Sequence, residues 1–187
     1  MTLWPQRGAK ADAGPSRLES FEEIVLPHWN AAHNLARWLM RNPEDARDAV
    51  QEAYLRAFRF FDTFQGGDGK AWLLAVVRNT CHTWRRQRSR DASALSFDET
   101  AHSGAGHAPV QEQAAADRED LAVLRTCLES LPLDFREVLV MRELEEMSYL
   151  EIAAVTGLAI GTVMSRLSRA RKRLEECAGR RGAEASR

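Results

Sequence analysis

The stretch MSYLEIAAVTGLAIGTVMSRLSRARKRL, residues 147–174, decides the reading of this chain. It predicts two helices joined by a tight turn, the second of them basic. Ser148 is placed to cap the first helix, and Glu151, three residues on, completes a capping box. Ile152, Ala153 and Val155 give that short helix an apolar side. Gly157 supplies the backbone freedom to end it, because a residue without Cβ enters the left-handed region at no steric cost. The second helix is expected to start near Ile160. Val163, Leu167, Ala170 and Leu174 recur at intervals of four, three and four, one buried stripe at helical period. Away from that stripe stand Thr162, Ser165, Arg166, Ser168, Arg169, Lys172 and Arg173. This is the pattern of a helix-turn-helix whose second helix enters a DNA major groove. A basic helical hairpin can also be merely a solvated bundle edge. Seven cationic residues between Arg166 and Arg181, against only Glu175 and Glu176, favour the DNA reading.

Outside this stretch the balance of charge is close to neutral. The 187 residues carry a formal net charge of −1, whereas a free-standing DNA binder is usually basic overall. Basic residues are concentrated in two places and offset by acidic segments, which implies weak affinity for bare DNA and help from a protein partner. Hydrophobic content of 44% and charged content of 28% predict globular folding rather than general disorder. Cys81, Cys127 and Cys177 are far apart and form no CxxC pair. No zinc site or disulfide framework is expected from them, and buried or free thiols in a reducing cytoplasm are the default. No apolar run reaches membrane-spanning length, and the first residues lack the apolar core of a signal peptide. A cytoplasmic protein without membrane insertion is therefore expected.

The chain divides by composition. Residues 1–17 read as a flexible tail, and 18–90 as a first helical domain. Within that domain Pro27 should interrupt the helical run. Asn42, Pro43, Glu44 and Asp45 read as a helix start: a cap, then proline at the first helical position, then acids at the positive helix end. A further helix is expected from about Lys70 to Arg88, after the Gly-rich residues 66–69. Residues 91–117 hold five acids (Asp91, Asp98, Glu99, Glu112, Asp117), no Lys or Arg, and little that could form a core, so they read as a flexible acidic linker. A second helical domain covers 118–178, with Pro132 breaking its first helix and Asp134 with Glu137 placed to cap the next. Residues 179–187 read as another flexible tail. No strand alternation of useful length is present, so the fold class is all-α: two small helical domains joined by the linker.

In the first domain, AWLLAVVRNTCHTWRRQR (residues 71–88) interleaves Trp72 and Trp84 with Arg78, Arg85, Arg86 and Arg88. Cations suit phosphate, rings offer stacking surfaces, and Asn79 can hydrogen-bond the edge of an unstacked base. Trp72, beside Leu73 and Leu74, also reads as a core residue. Asp45, Asp48 and Glu52, with Gln51 adjacent, form an acidic stripe that is either solvated surface or a dock for a basic partner helix. Enzyme chemistry is not expected: no nucleophile, acid/base pair, phosphate loop or cofactor motif has the required spacing.

As an ordered set, the DARDAVQEAYLRAF helix (45–58), the segment 71–88 and LPLDFREVLVMRELEEMSYLEIAAVTGLAIGTVMSRLSRARKRL (131–174) resemble bacterial RNA polymerase sigma factors. The match is to the small extracytoplasmic-function (ECF) group, which carries only the second and fourth sigma regions. It covers roughly residues 21–90 and 121–174. The resemblance implies that 18–90 is region 2-like and 118–178 region 4-like. It implies that Asp45, Asp48, Gln51 and Glu52 grip core RNA polymerase. Trp72, Arg78, Asn79, His82, Arg85, Arg86 and Arg88 would serve the minus-ten element, with one base flipped against Asn79. Thr162, Ser165, Arg166, Ser168, Arg169 and Lys172 would read the minus-thirty-five element. Core RNA polymerase, promoter DNA and an anti-sigma factor are the implied partners. No cofactor and no obligate homo-oligomer are implied. Thr83 stands where Asp is frequent in the family, and Met164 replaces a basic residue of some relatives. The rival reading is a stand-alone helix-turn-helix transcription regulator, which would bind an operator alone and commonly as a symmetric dimer.

Overall fold

A computed structural model describes residues 16–40, 42–94 and 115–185. Among them the chain is helical, and no strand occurs. Helix α1 (Arg17–Val25) is started by Ser16, whose hydroxyl accepts from the Glu19 N–H while the Glu19 carboxylate accepts from the Ser16 N–H. Pro27 falls inside a 3₁₀ turn, Leu26–His28, that separates α1 from α2 (Trp29–Leu39). Helix α3 (Pro43–Phe60) begins as expected, with Asn42 Oδ1 accepting from the Glu44 N–H at 2.9 Å and Pro43 at the first position. After the 3₁₀ turn Phe61–Thr63 comes α4 (Gly69–Ala94). Helices α2, α3 and α4 pack on one another, and α1 lies across the start of α4. Their apolar faces bury Val25, Leu35, Leu39, Val50, Leu73, Leu74 and Val77.

The second unit comprises α5 (Ala115–Ser130), α6 (Leu133–Glu143), α7 (Tyr149–Thr156) and α8 (Ile160–Ala185). Helix α8 packs against α5, α6 and α7. Val138, Met141, Ile152, Val163 and Leu167 fill the space between them. Most of the acidic linker lies outside the described residues; its two ends are helical, 91–94 closing α4 and 115–117 opening α5. The tail expected at 179–187 is helical through Ala185, because nothing in that stretch stops α8.

Two further expectations are corrected by the structure. Cys127 and Cys177 are joined by a disulfide across α5 and α8, with a Cα–Cα separation of 5.7 Å. Fifty residues separate them in sequence, so only the packing of α5 against α8 reveals the pair. Cys81 is the free thiol among the described residues, fully buried and pushed up to about 12 by that burial. Glu137 does not cap α6, which starts after Pro132 without a side-chain cap. It is fully buried instead.

The two units also touch. Helix α4 packs on α7 and α2 on α6, and the buried apolar residues of both units form one continuous cluster. Polar bonds reinforce this contact. Lys70 Nζ donates to the Glu145 carbonyl at 2.6 Å, and Asn34 Nδ2 donates to Glu145 Oε1 at 3.2 Å. Arg136, itself buried, donates to the Trp38 carbonyl of α2 at 3.0 Å. Among the described residues no single helix is long and apolar enough to cross a membrane.

Candidate nucleic-acid interface

The helix-turn-helix is built as its local sequence dictates. Ser148 Oγ accepts from the Glu151 N–H at 3.2 Å, and the Glu151 carboxylate accepts from the Ser148 N–H at 2.5 Å. Gly157 ends α7 in the left-handed region, at φ 70°. The axes of α7 and α8 then bend by 104°, within the range of helix-turn-helix pairs. Val163, Leu167 and Ala170 are buried at 1% exposure or less, which fixes the rotation of α8. That rotation leaves Ser165, Ser168, Arg169 and Lys172 on the exposed side, with Thr162 half-buried. Ser165 Oγ donates back to the Thr162 carbonyl at 3.0 Å. Arg166 is turned away from them: its guanidinium meets Asp134 at 3.0 Å and Glu137 at 3.7 Å. Arg173 lies over the Phe135 ring, and Arg171 pairs with Glu143 at 2.7 Å. The exposed face of α8 is therefore cationic and hydroxyl-bearing, with a fixed orientation.

The second candidate surface lies on α4. Asp68 Oδ1 accepts from the Lys70 and Ala71 N–H groups at 2.8 and 3.2 Å and so caps the helix start. Gly69 is required there, because a Cβ would fall 2.6 Å from Ile24 Cγ2 and 2.7 Å from the Ile24 carbonyl oxygen. Gly69→Ala is expected to lower stability by about 1–3 kcal/mol through overpacking against backbone that cannot yield, which urea unfolding of the variant measures. Trp72 is half-buried among Phe61 and Phe64, at ring separations of 6.1 and 5.5 Å. Asn79 and Arg86 are exposed. Arg85 donates to the Leu39 carbonyl at 2.9 Å and so ties α4 to the end of α2.

Arg78 and His82, one turn apart on α4, do not face solvent together with Asn79. Arg78 grips the Glu137 carboxylate with Nε and Nη2, each at 2.9 Å, and His82 Nε2 lies 2.8 Å from the same group. Burial alone raises the pKa of Glu137, but hydrogen bonds from His82 and Arg78 and their charges outweigh it, and the net shift is downward. Glu137 is thus an ionised carboxylate in the interior, held by cations from both candidate surfaces.

The acidic stripe on α3 splits in two. Asp45 is buried and forms a two-pronged ion pair with Arg88. Glu52 is half-buried and accepts from Trp84 Nε1 at 2.6 Å while also pairing with Arg56. Asp48 and Gln51 are exposed. The helical period explains the division: positions 45 and 52 share a face to within about 20°, whereas 48 sits about 60° away. Beside Gln51 runs a shallow apolar cleft lined by Trp29, Tyr54, Leu55 and Phe58. Leu55 is 70% exposed, a large apolar surface on the outer side of α3. Sequence reasoning missed this cleft, because Leu55 and Phe58 belong to the same helical run as the core positions Ala53 and Ala57. Glu137 was also missed, since its partners lie 55 and 59 residues away.

Comparison with known proteins agrees with this geometry. Residues 24–91 match the family described as Sigma-70 region 2, and residues 121–174 match Sigma-70, region 4. The ECF RNA polymerase sigma factor SigE of Mycolicibacterium smegmatis is 32% identical over 177 residues, covering 93% of this chain and 67% of the relative. The ECF RNA polymerase sigma-E factor of Escherichia coli is 36% identical over 139 residues, covering 70% of this chain and 72% of the relative. Among solved structures, the sigma factor RpoE of Bartonella quintana, in complex with the anti-sigma factor NepR, is 32% identical with a TM-score of 0.71. That likeness covers 84% of this chain and 96% of the other. CnrH, in complex with the cytosolic domain of CnrY, is 26% identical with a TM-score of 0.57, covering 85% and 87% of the two chains. With region 2 and region 4 both present in order, and relatives of this identity matched over most of their length, the chain belongs to the ECF RNA polymerase sigma factors.

Proposed function

We propose that this sigma factor divides its work among the surfaces described above. Asp48 and Gln51, exposed on α3, contact core RNA polymerase, and Asp45 and Glu52 hold that helix against α4 behind them. Asn79, with Arg86 beside it, reads an unstacked base of the minus-ten element and its phosphates. Arg78, His82, Arg85 and Arg88 join them to the extent that their protein partners release them, and Trp72 orients the segment from its aromatic cluster. On α8, Ser165, Ser168, Arg169 and Lys172 read the minus-thirty-five element, with Arg166 and Thr162 at the edge. The observation that carries this reading is the 104° bend between α7 and α8, with the buried stripe fixing an exposed cationic face on α8.

A region 4 helix alone makes few contacts and binds weakly. Core polymerase raises the effective concentration of each domain at its element, so affinity emerges from the assembly. An anti-sigma factor is a further partner, since the RpoE relative is held by one in its solved structure. The site of action is the bacterial cytoplasm, where polymerase and promoter meet.

The division of labour has a direct test. Arg169→Ala is expected to weaken protection of the minus-thirty-five element by about 5- to 150-fold, the equivalent of 1–3 kcal/mol for one Arg contact. Its association with core should be unchanged, as read by footprinting and by pull-down. Equal loss of both would remove Arg169 from the DNA surface.

A further inference from the structure

The two candidate DNA surfaces converge on one carboxylate. Arg78 and His82 come from the minus-ten surface, Arg166 from the minus-thirty-five surface, and all three meet Glu137, at 2.9, 2.8 and 3.7 Å. Glu137 has no exposure, and Arg78 and Arg166 side chains are reduced to 15% and 22%. An anionic oxygen pair accepting from a guanidinium fork is what a DNA phosphate would otherwise offer these same groups. From the sequence of α6 nothing requires an acid here, since α6 has no side-chain cap and its neighbours Val138 and Leu139 are core residues.

Geometry forbids this arrangement on a promoter. The minus-ten and minus-thirty-five elements lie more than two helical turns apart, and each turn of duplex spans about 34 Å. Residues that touch a common carboxylate cannot reach both elements at once. Promoter binding must therefore separate α4 from α6 and α7, and break the contacts of Lys70 and Asn34 with Glu145 on the way.

We infer that Glu137 is an intramolecular latch, a stand-in for DNA phosphate that keeps the free sigma factor closed by tying the edges of its two DNA surfaces, Arg78 and His82 on one side and Arg166 on the other, to one carboxylate. This rests on the assignment of α4 and α8 as the DNA surfaces. Core polymerase opens the chain by binding the separated domains better than the closed pair, and only that difference in affinity can shift the balance. The apparent DNA affinity of the free chain is lowered by the small fraction that is open. Near-neutral net charge and a hidden set of cations together keep the chain off bare DNA.

Glu137→Gln keeps the shape and removes the charge. In the full chain, small-angle scattering should show a larger radius of gyration for the variant than for the wild type. Fluorescence anisotropy with a promoter duplex and no polymerase should show binding about tenfold tighter or more. With saturating core both proteins should initiate equally, since core holds either one open. Unchanged dimensions of Glu137→Gln overturn the latch, whatever the DNA affinity does, and leave the sigma assignment intact if both proteins still initiate. Failure of both proteins to initiate with core would instead overturn the assignment on which the latch rests. Should circular dichroism show that Glu137→Gln does not fold, Asn34→Ala serves the same test. Asn34 is exposed and bonds across the contact to Glu145, and its loss should give a smaller expansion in the same direction; no expansion would count against the latch equally.

Discussion

Arg136→Ala is expected to lower the stability of the protein by about 3 kcal/mol or more, and to be the most damaging single replacement in the second unit. Arg136 is buried, and its guanidinium serves carbonyls that helix ends leave without partners. It donates to the Leu131 carbonyl at 2.9 Å and to that of Glu129, both at the end of α5. It also donates to the Trp38 carbonyl at the end of α2, at 3.0 Å. The last four carbonyls of any helix lack intrahelical donors, and each one left buried and unpaired costs about 1–3 kcal/mol. One side chain thus closes two helix ends belonging to different units. Arg136→Lys keeps the charge but not the planar fork, so it should recover only part of the loss. Urea unfolding of the wild type and both variants measures the order. Arg136→Ala within about 1 kcal/mol of the wild type, less than one such unpaired carbonyl, would contradict this account.

Opening the Cys127–Cys177 disulfide should lower the stability of the second unit by about 2–4 kcal/mol. The bond closes a loop of 50 residues that contains α6 and α7, so it restricts the unfolded chain across most of the helix-turn-helix domain. It also anchors α8 one turn beyond Leu174, which is half-buried against the core. The double replacement Cys127→Ala, Cys177→Ala should reproduce the effect of reductant, and reductant should then have no further effect on it. Thiol titration of the unfolded, unreduced protein should find the single thiol of Cys81, and after reduction all of the Cys residues. Unfolding curves that do not move with reductant would contradict the prediction.

Those features were legible in the sequence whose causes act within one helical turn. Ser148 with Glu151, Asn42 with Pro43 and Gly157 are short-range signals, and each sits in the structure at the helix end it announces. The stripe Val163, Leu167, Ala170 set the rotation of α8 from its period alone. What could not be read depends on distant partners. Cys177 lies next to Cys127 only because α5 and α8 run side by side. Asp45 and Glu52 look like a surface stripe with Asp48 until α4 supplies Arg88 and Trp84. Glu137, spaced three residues after Asp134, resembles a capping acid, and the cations that claim it come from elsewhere in the chain. Sequence also marks two domains without saying that they press together, since the contact between α4 and α7 leaves no periodic trace beyond that of each domain's own core.

Run-off transcription from a promoter fragment, with purified core polymerase and this protein separately and together, decides whether the chain directs initiation. Discrete, promoter-dependent transcripts are expected only when both are present, with neither the chain nor core sufficient alone. Absence of such transcripts across a library of candidate promoters, together with failure of the chain to co-purify with core, would contradict it.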